Sequence, residues 1–318
     1  GRSRLYRPTK ALLHLVRVRI ATVRTPSRPV RIEGEGARVL IANGEGAPSK
    51  QVTLPATIES TVNGWLVIEA AGTRNAGTYS FSAPVLEVKP APGSKGVRLS
   101  KDIAGCGALP WGFKLVARSD EGIGAIDIVS HVPMEQYLPG VLAKELYNTW
   151  SLETHLAQAV AARSFAVCEI AQSLDSHFDV VAGEASQAWT GTTSHKSSLE
   201  AVRKTRGMVM LWDKRVVPAY YSSTCGGRPA NAADAIAGGE FNAIVPLQVT
   251  SDMGRECCRS APSWRWKMSL PLAESAKRIA GWARTDRPAM ARIDGLRAID
   301  VATVNAVGRP LVGVASSL

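Results

Sequence analysis

Residues 134–174 read MEQYLPGVLAKELYNTWSLETHLAQAVAARSFAVCEIAQSL, and their periodicity predicts two helices in succession. In the first, Met134–Leu146, the apolar stripe is Leu138, Val141, Leu142 and Leu146. Pro139 falls early in that segment, where a first turn tolerates proline. Glu145 follows Leu138 by seven residues and Val141 by four, so its carboxylate shares the apolar face. The second helix covers about Leu152–Leu174, with Ser151 as N-cap and Glu153 in the positive first turn. Its stripe is Leu152, Leu156, Val160, Val167, Ile170 and Leu174, and Arg163 fills the step between Val160 and Val167. Each of two adjacent helices therefore sets an ionisable group among apolar residues. That is the sharpest physical signal in the chain.

Outward from these helices the pattern changes. Residues 11–98 predict short strands at Leu12–Ile20, Val39–Ile41, Trp65–Ile68 and Val85–Val88, separated by Gly, Pro, Ser and Asn turns. A boundary is expected at Pro90–Gly96, followed by strands Phe113–Arg118 and Gly124–Val129. Downstream, Ser197–Arg206 reads as a short helix closed by Gly207, with strands Met208–Trp212 and Val216–Ser223 paired around Asp213-Lys214. A helix near Leu272–Trp282 and strands near Ile299–Val304 and Leu311–Val314 complete an α+β pattern. The expected organisation is a β-rich accessory region over 1–95 with a basic leading arm, then a domain over 96–318 with its core motifs in 130–270.

Composition excludes several classes. The chain has 318 residues, 45% apolar and 20% charged, an ordinary globular balance. No apolar stretch approaches the roughly 18–20 residues of a membrane span. Of the 38 basic residues, nine fall within 1–32, where there is no Asp or Glu, and the net charge is +11. A nucleic-acid partner is not expected, because such binders spread basic and aromatic residues over a folded face. The leading segment reads instead as a solvated arm or a surface for an anionic envelope polymer. The first residue is Gly1, not Met, so a targeting signal is expected to have been removed.

Catalytic candidates follow from the helices. Desolvation on an apolar face disfavours the ionised carboxyl, which suits Glu145 to general acid chemistry. The competing reading pairs Glu145 with Arg163 as a structural tie. Arg163 could also hold an anionic substrate group or orient Glu145. Cys225 precedes Gly226-Gly227 and could act as a nucleophile, with His131, His155, His177 or His195 as base, though spacing singles out none. Five cysteines without a CxxC pair (Cys106, Cys168, Cys225, Cys257 and Cys258) make neither a zinc ribbon nor a disulfide scaffold. A metal site at Cys225 with Cys257 or Cys258 is weaker than a disulfide or a packed thiol. Trp150 and Trp189 are candidates to stack on sugar rings or to sit in the core.

Several ordered blocks resemble the SpoIID/LytB family. They are Val132–Leu138, Gly140–Leu146, Trp150, Ala157–Ala166, Gln187-Ala-Trp-Thr-Gly191, Ala201-Val202 with Thr205-Arg-Gly207, and Tyr221–Gly227. The likeness covers roughly 110–270 well and 11–109 loosely. It implies a SpoIID-like catalytic domain acting on peptidoglycan glycan strands outside the cytoplasm, exported to the periplasm or cell envelope. One branch implies a lytic transglycosylase with a catalytic glutamate in the block that Glu145 occupies. The other implies a non-catalytic enhancer of a cell-wall amidase. A third expectation, weaker than these, is a polyanion-binding envelope protein using 1–32.

The resemblance also implies substrate-binding roles for Gln158, Arg163, Gln187, Ser222 and Ser223, with Gly226 and Gly227 shaping the cleft. A disulfide from Cys225 to Cys257 or Cys258, most readily Cys257, is expected to brace that loop. No cofactor is expected. Some relatives hold zinc through Cys and His near the Gln187 block, but Asp179–Gln187 has neither. The chain departs from the family in a second place: Glu145-Leu-Tyr147 replaces the usual Glu-hydrophobic-Pro and alters the wall beside the acid.

Overall fold

The computed structural model describes residues 15–24, 28–34, 37–70, 74, 76–118, 124–224, 229–236, 239–248, 259–260, 267–286, 295–304 and 310–317. The chain divides into two units, Tyr6–Tyr220 and Tyr221–Leu318, the latter together with Gly1–Leu5. In the first unit come β1 (Leu15–Arg24), β2 (Val30–Glu33), β3 (Arg38–Ala42), β4 (Ser49–Thr53), β5 (Ala56–Thr61) and β6 (Gly64–Glu69). They are followed by β7 (Gly77–Phe81), β8 (Val85–Pro90), β9 (Arg98–Leu99), β10 (Phe113–Ala117) and β11 (Ala125–Pro133). Then come α1 (Met134–Glu145), α2 (Leu152–Gln172), β12 (Val180–Val181), α3 (Lys196–Lys204) and the short pair β13 (Leu211–Trp212) and β14 (Arg215–Val216). The second unit contains α4 (Ala232–Ala235), α5 (Leu272–Asp286) and the antiparallel pair β15 (Leu296–Val304) and β16 (Pro310–Ser317). The fold is α+β, as the alternation of patterns predicts.

A seven-stranded sheet in the order β12-β1-β11-β10-β8-β3-β4 organises the first unit, beside a five-stranded sheet β7-β6-β5-β2-β9. In the larger sheet β1 and β12 run parallel and the other neighbours antiparallel. β11 is its centre: Ala125–Ser130 are all buried, so both faces are covered and the strand reads as a nearly unbroken apolar run. α1 leaves β11 without a connecting loop, and Pro133 stands at its N-cap.

Two expectations are corrected here. The sheet takes β1, β3, β4 and β8 from before residue 95 and β10, β11 and β12 from after it, so 1–95 closes no layer of its own. The second unit begins at Tyr221 rather than near residue 96. The basic lead is also not an arm where it is described. Leu15–Arg24 pairs with β11 from Leu15↔Pro133 to Arg24↔Ala125, and Val16, Val18 and Val23 are buried.

One buried charge ties this sheet together. Asp127 on β11 is fully buried and accepts from Thr22 Oγ1, His177 Nε2 (2.7 Å) and Arg118 Nη1 (3.2 Å), with Arg19 Nη1 at 3.6 Å. Burial alone would raise its carboxyl pKa. The Thr22 and His177 bonds and the two guanidiniums outweigh it and hold the carboxyl below its ordinary value. Asp127→Ala is expected to cost about 3 kcal/mol in a denaturant titration, because it strands partly buried cations. With the folded pKa depressed, this stabilisation is present above about pH 4 and is lost as pH falls through the folded value. The variant should therefore flatten the acid limb of the stability profile.

Candidate active site

Glu145 is the last residue of α1. The chain then turns away at Leu146, whose extended backbone still donates to Leu142 O (3.0 Å). Trp150 N donates to Tyr147 O (3.1 Å) to close the corner, and Ser151 Oγ caps α2 by accepting from Thr154 N. Pro139 sits in the second turn of α1 rather than the first, and forgoes one helical hydrogen bond there. Leu138, Val141 and Leu142 are buried as their spacing predicts. α2 turns a different face inward: His155, Ala159, Ala162, Arg163, Ala166 and Val167 are buried, while Leu152, Leu156 and Val160 are only half-buried. Small residues on that face let α2 pack closely against α1.

A strip of irregular chain, Gln187–Thr190, lies along α1 and fixes the carboxyl. Ala188 N donates to Glu145 Oε1 at 2.9 Å. Among the described residues, Glu145 Oε2 accepts no hydrogen bond. On either side of Ala188 the strip is anchored. Gln187 Nε2 donates to Ala162 O (3.2 Å) and its Oε1 accepts from Tyr137 Oη (3.0 Å), while Trp189 Nε1 donates to Tyr137 O (3.1 Å). Thr190 N donates to Gly140 O at 3.4 Å. The approach at Gly140 is so close that a Cβ there would meet Gly191 O at 2.2 Å and Trp189 Nε1 at 2.7 Å. Only glycine fits.

The expected pairing of Arg163 is corrected. Its guanidinium is fully buried and clamps Glu135, Nε to Oε1 at 3.0 Å and Nη2 to Oε2 at 2.8 Å. Nη1 donates to Ala159 O (3.3 Å) and Met208 O (3.1 Å). Its donors are spent inside the protein, so it ties α2 to α1 and to the segment after α3, and leaves Glu145 alone. Gln187 is likewise buried and committed, a support of the strip rather than a cleft wall. Sequence reasoning missed Glu135, whose place in a helical first turn looks like ordinary dipole compensation. The four-residue phase from Glu135 to buried Leu138 and Pro139 was the available signal.

The remaining candidates divide. Gln158 on α2 is half-buried and keeps an Nε2 with no hydrogen-bond partner. Ser222 and Ser223 are exposed and belong to the second unit. Cys225, Gly226, Gly227, Cys257 and Cys258 lie outside the described residues. Of the described thiols, Cys168 donates to Val216 O and burial pushes it up to about 12, which removes it as a nucleophile. Among the described residues no three His, Cys, Asp or Glu side chains converge as metal ligands. At the Gln187 block, where relatives hold zinc, Asp179 is already bound to Arg17.

Beside the end of α1 opens a cavity of about 510 Å³ lined by Asn148, Thr190, Thr193, Ser194, His195 and Lys196 among others. His195 caps α3, its Nδ1 accepting from Ser198 N at 3.3 Å, and its ring lies 5.3 Å from that of buried His155. Burial and the His155 ring hold the His195 imidazole below its ordinary value, and burial with Lys114 and Arg17 does the same to His131.

Comparison with known proteins places this geometry. Residues 123–212 match the family model described as SpoIID, stage II sporulation protein. An uncharacterised protein of Brachyspira hyodysenteriae is 34% identical over 121 residues, which is 37% of this chain and 32% of that one. The amidase enhancer of Bacillus subtilis is 33% identical over 92 residues, covering 28% of this chain and 12% of the enhancer. Stage II sporulation protein D of Bacillus subtilis is 26% identical over 183 residues, covering 52% of this chain and 50% of that protein. The chain thus spans half or less of the length of these relatives.

Two outcomes are expected from this geometry. Gly140→Ala should force the strip off α1 and cost about 1–3 kcal/mol in thermal or chemical melts, with loss of whatever activity Glu145 carries. Because the folded His195 and His131 titrate below their ordinary value, the unfolded chain takes protons first. Stability should be full above about pH 6.5 and fall as pH drops below it. Urea titrations across pH 8 to 5 check this, and His195→Gln should shallow the slope.

Proposed function

We propose, from a chain that belongs to the SpoIID family through residues 123–212, a cell-wall function with Glu145 as the reacting group. The finer reading is a lytic transglycosylase of peptidoglycan glycan strands. The observation that supports it is the carboxyl held by one oxygen on Ala188 N, with no bond to the other among the described residues. A glycosidase of the ordinary kind needs two carboxyl groups. A transglycosylase needs one. The Glu145 carboxylic acid gives its proton to the glycosidic oxygen between MurNAc and GlcNAc as the C1–O bond breaks. The resulting carboxylate then takes the proton of the muramyl 6-hydroxyl while O6 attacks C1. A 1,6-anhydro ring closes, water is not consumed, and the acid is regenerated.

The chain is read as exported to the cell envelope, and no helix among the described residues is long and apolar enough to cross a membrane. A second reading draws on the amidase enhancer relative: a module that docks on peptidoglycan and stimulates a partner amidase without cutting glycan. Gln158, Ser222 and Ser223 are retained as contacts to the strand, with Gly226 and Gly227 shaping the cleft and a Cys225 disulfide bracing it. These remain proposals that variants at each position can test.

Incubating the chain with intact and peptide-stripped glycan strands, followed by mass spectrometry, should yield anhydromuramyl ends. Glu145→Gln keeps the Ala188 bond and removes the proton donor, so product should fall about 10²–10⁴-fold with the melting temperature unchanged. Activity within a few-fold of wild type would eliminate Glu145 as the acid. A wild-type chain without product that accelerates an amidase would establish the enhancer reading.

A further inference from the structure

The corner that follows Glu145 carries an aromatic pair that the core does not use. Tyr147 is 72% exposed and Trp150 is 44% exposed, yet their rings meet edge to face at 5.5 Å. Other indoles in this unit are spent on the fold. Trp65 and Trp189 are buried and donate to Ala83 O and Tyr137 O, and Trp111 donates to Gln136 Oε1. Among the described residues the Trp150 indole N–H donates to nothing. Two large rings left in water raise the free energy of the unliganded surface, and such patches on soluble proteins mark contact sites.

The pair is also held in place. The Trp150 N to Tyr147 O bond closes the corner between the extended cap at Leu146 and the Ser151 cap of α2. Each ring buttresses the other, so little rotamer freedom is lost when a ligand settles on them. Two residues of chain span at most about 7 Å, which keeps Tyr147 beside Glu145. Asn148, between the two aromatics in sequence, lines the polar cavity with Thr190, Thr193 and Lys196. An apolar platform beside hydroxyl, amide and ammonium groups matches one ligand chemistry in particular. A pyranose ring has a C–H face that seeks the negative face of an aromatic ring, and a rim of hydroxyl and acetamido groups that seeks polar partners.

We propose that Tyr147 and Trp150 form the stacking platform for one N-acetylated pyranose of the glycan strand, next to the bond that Glu145 acts on. This rests on the glycan reading of the site. The platform sets affinity and register along the strand, and takes no part in proton transfer.

The test uses the full chain in a Glu145→Gln background, so that strands bind without being cut, with peptide-stripped glycan strands as the probe in calorimetry. Tyr147→Ala and Trp150→Ala should each weaken binding about tenfold, within the range known for stacking on aromatic side chains. Trp150→Phe should restore most of the loss, which a merely structural role for the indole would not predict. Unchanged melting temperatures are expected, since both rings are exposed. If the parent binds strands and both alanine variants bind equally well, the platform is overturned while the transglycosylase reading stands. If the alanine variants lose binding but the wild-type chain yields no anhydromuramyl ends, the platform stands and the catalytic reading fails. Absence of any strand binding by the parent overturns the platform.

Discussion

The guanidinium of Arg163 has no solvent exposure, and a buried cation without partners would cost several kcal/mol. Its partners therefore dictate where three elements sit. The bidentate clamp on Glu135 fixes the first turn of α1, and the bonds to Ala159 O and Met208 O fix α2 and the chain leaving α3. Gly207 N adds a weaker bond to Glu135 Oε1 at 3.4 Å. Because a helix is stiff over its 12 residues, fixing the first turn of α1 also fixes where its last residue points. Glu145 inherits its position from a salt bridge ten residues away. A direct Arg163–Glu145 pair would have done the opposite, by spending the carboxylate on a structural cation.

With α1 held at one end, the strip Gln187–Thr190 completes the frame. Its hydrogen bonds to Tyr137, Gly140, Ala162 and Glu145 all fall on residues of α1 or on the facing side of α2. The polar side chains in this frame are buried and mutually satisfied, which is the condition under which such networks fix a single geometry. A carboxyl that must serve first as acid and then as base in one active site needs that constancy, since both steps depend on the same oxygen meeting two different substrate atoms.

Much of this was legible in the residues. The spacing of Leu138, Val141 and Leu142 and the Ser151 cap place both helices, and the Asp213-Lys214 turn is a real reversal with positive φ at both residues. What escaped has specific causes. Leu152, Leu156 and Val160 are larger than Ala159, Ala162 and Ala166, so apolarity alone picked the wrong face of α2. Close helix packing favoured the small residues instead. Strands such as β5, with Thr57, Glu59 and Ser60 on its outer positions, carry too little apolar signal to be read as strands. Arg163 and Gln187 looked like ligands for substrate because burial of polar groups cannot be seen without their partners.

The basic lead is the instructive case. Val16-Arg-Val-Arg19 alternates with the period of a strand, and the charge drew attention from the period. In β1 these arginines are fasteners. Arg17 binds Asp179 through both its backbone and side chain, and also donates to the carbonyls of Ser173 and Ser176. That clasp holds the turn after α2 against β1, where β12 then pairs in parallel through Val18↔Val180 and Arg19↔Val181. From β12 a bridge between Ala182 and Gln187 leads directly into the strip that grips Glu145. The donor on Ala188 is thus positioned by a path that begins at residue 17. Residues 123–212, the span matched by the family model, contain the reacting carboxyl but not the strand that sets its donor in place. The site is a property of the whole sheet, and the N-terminal strand belongs to it as much as the two helices do.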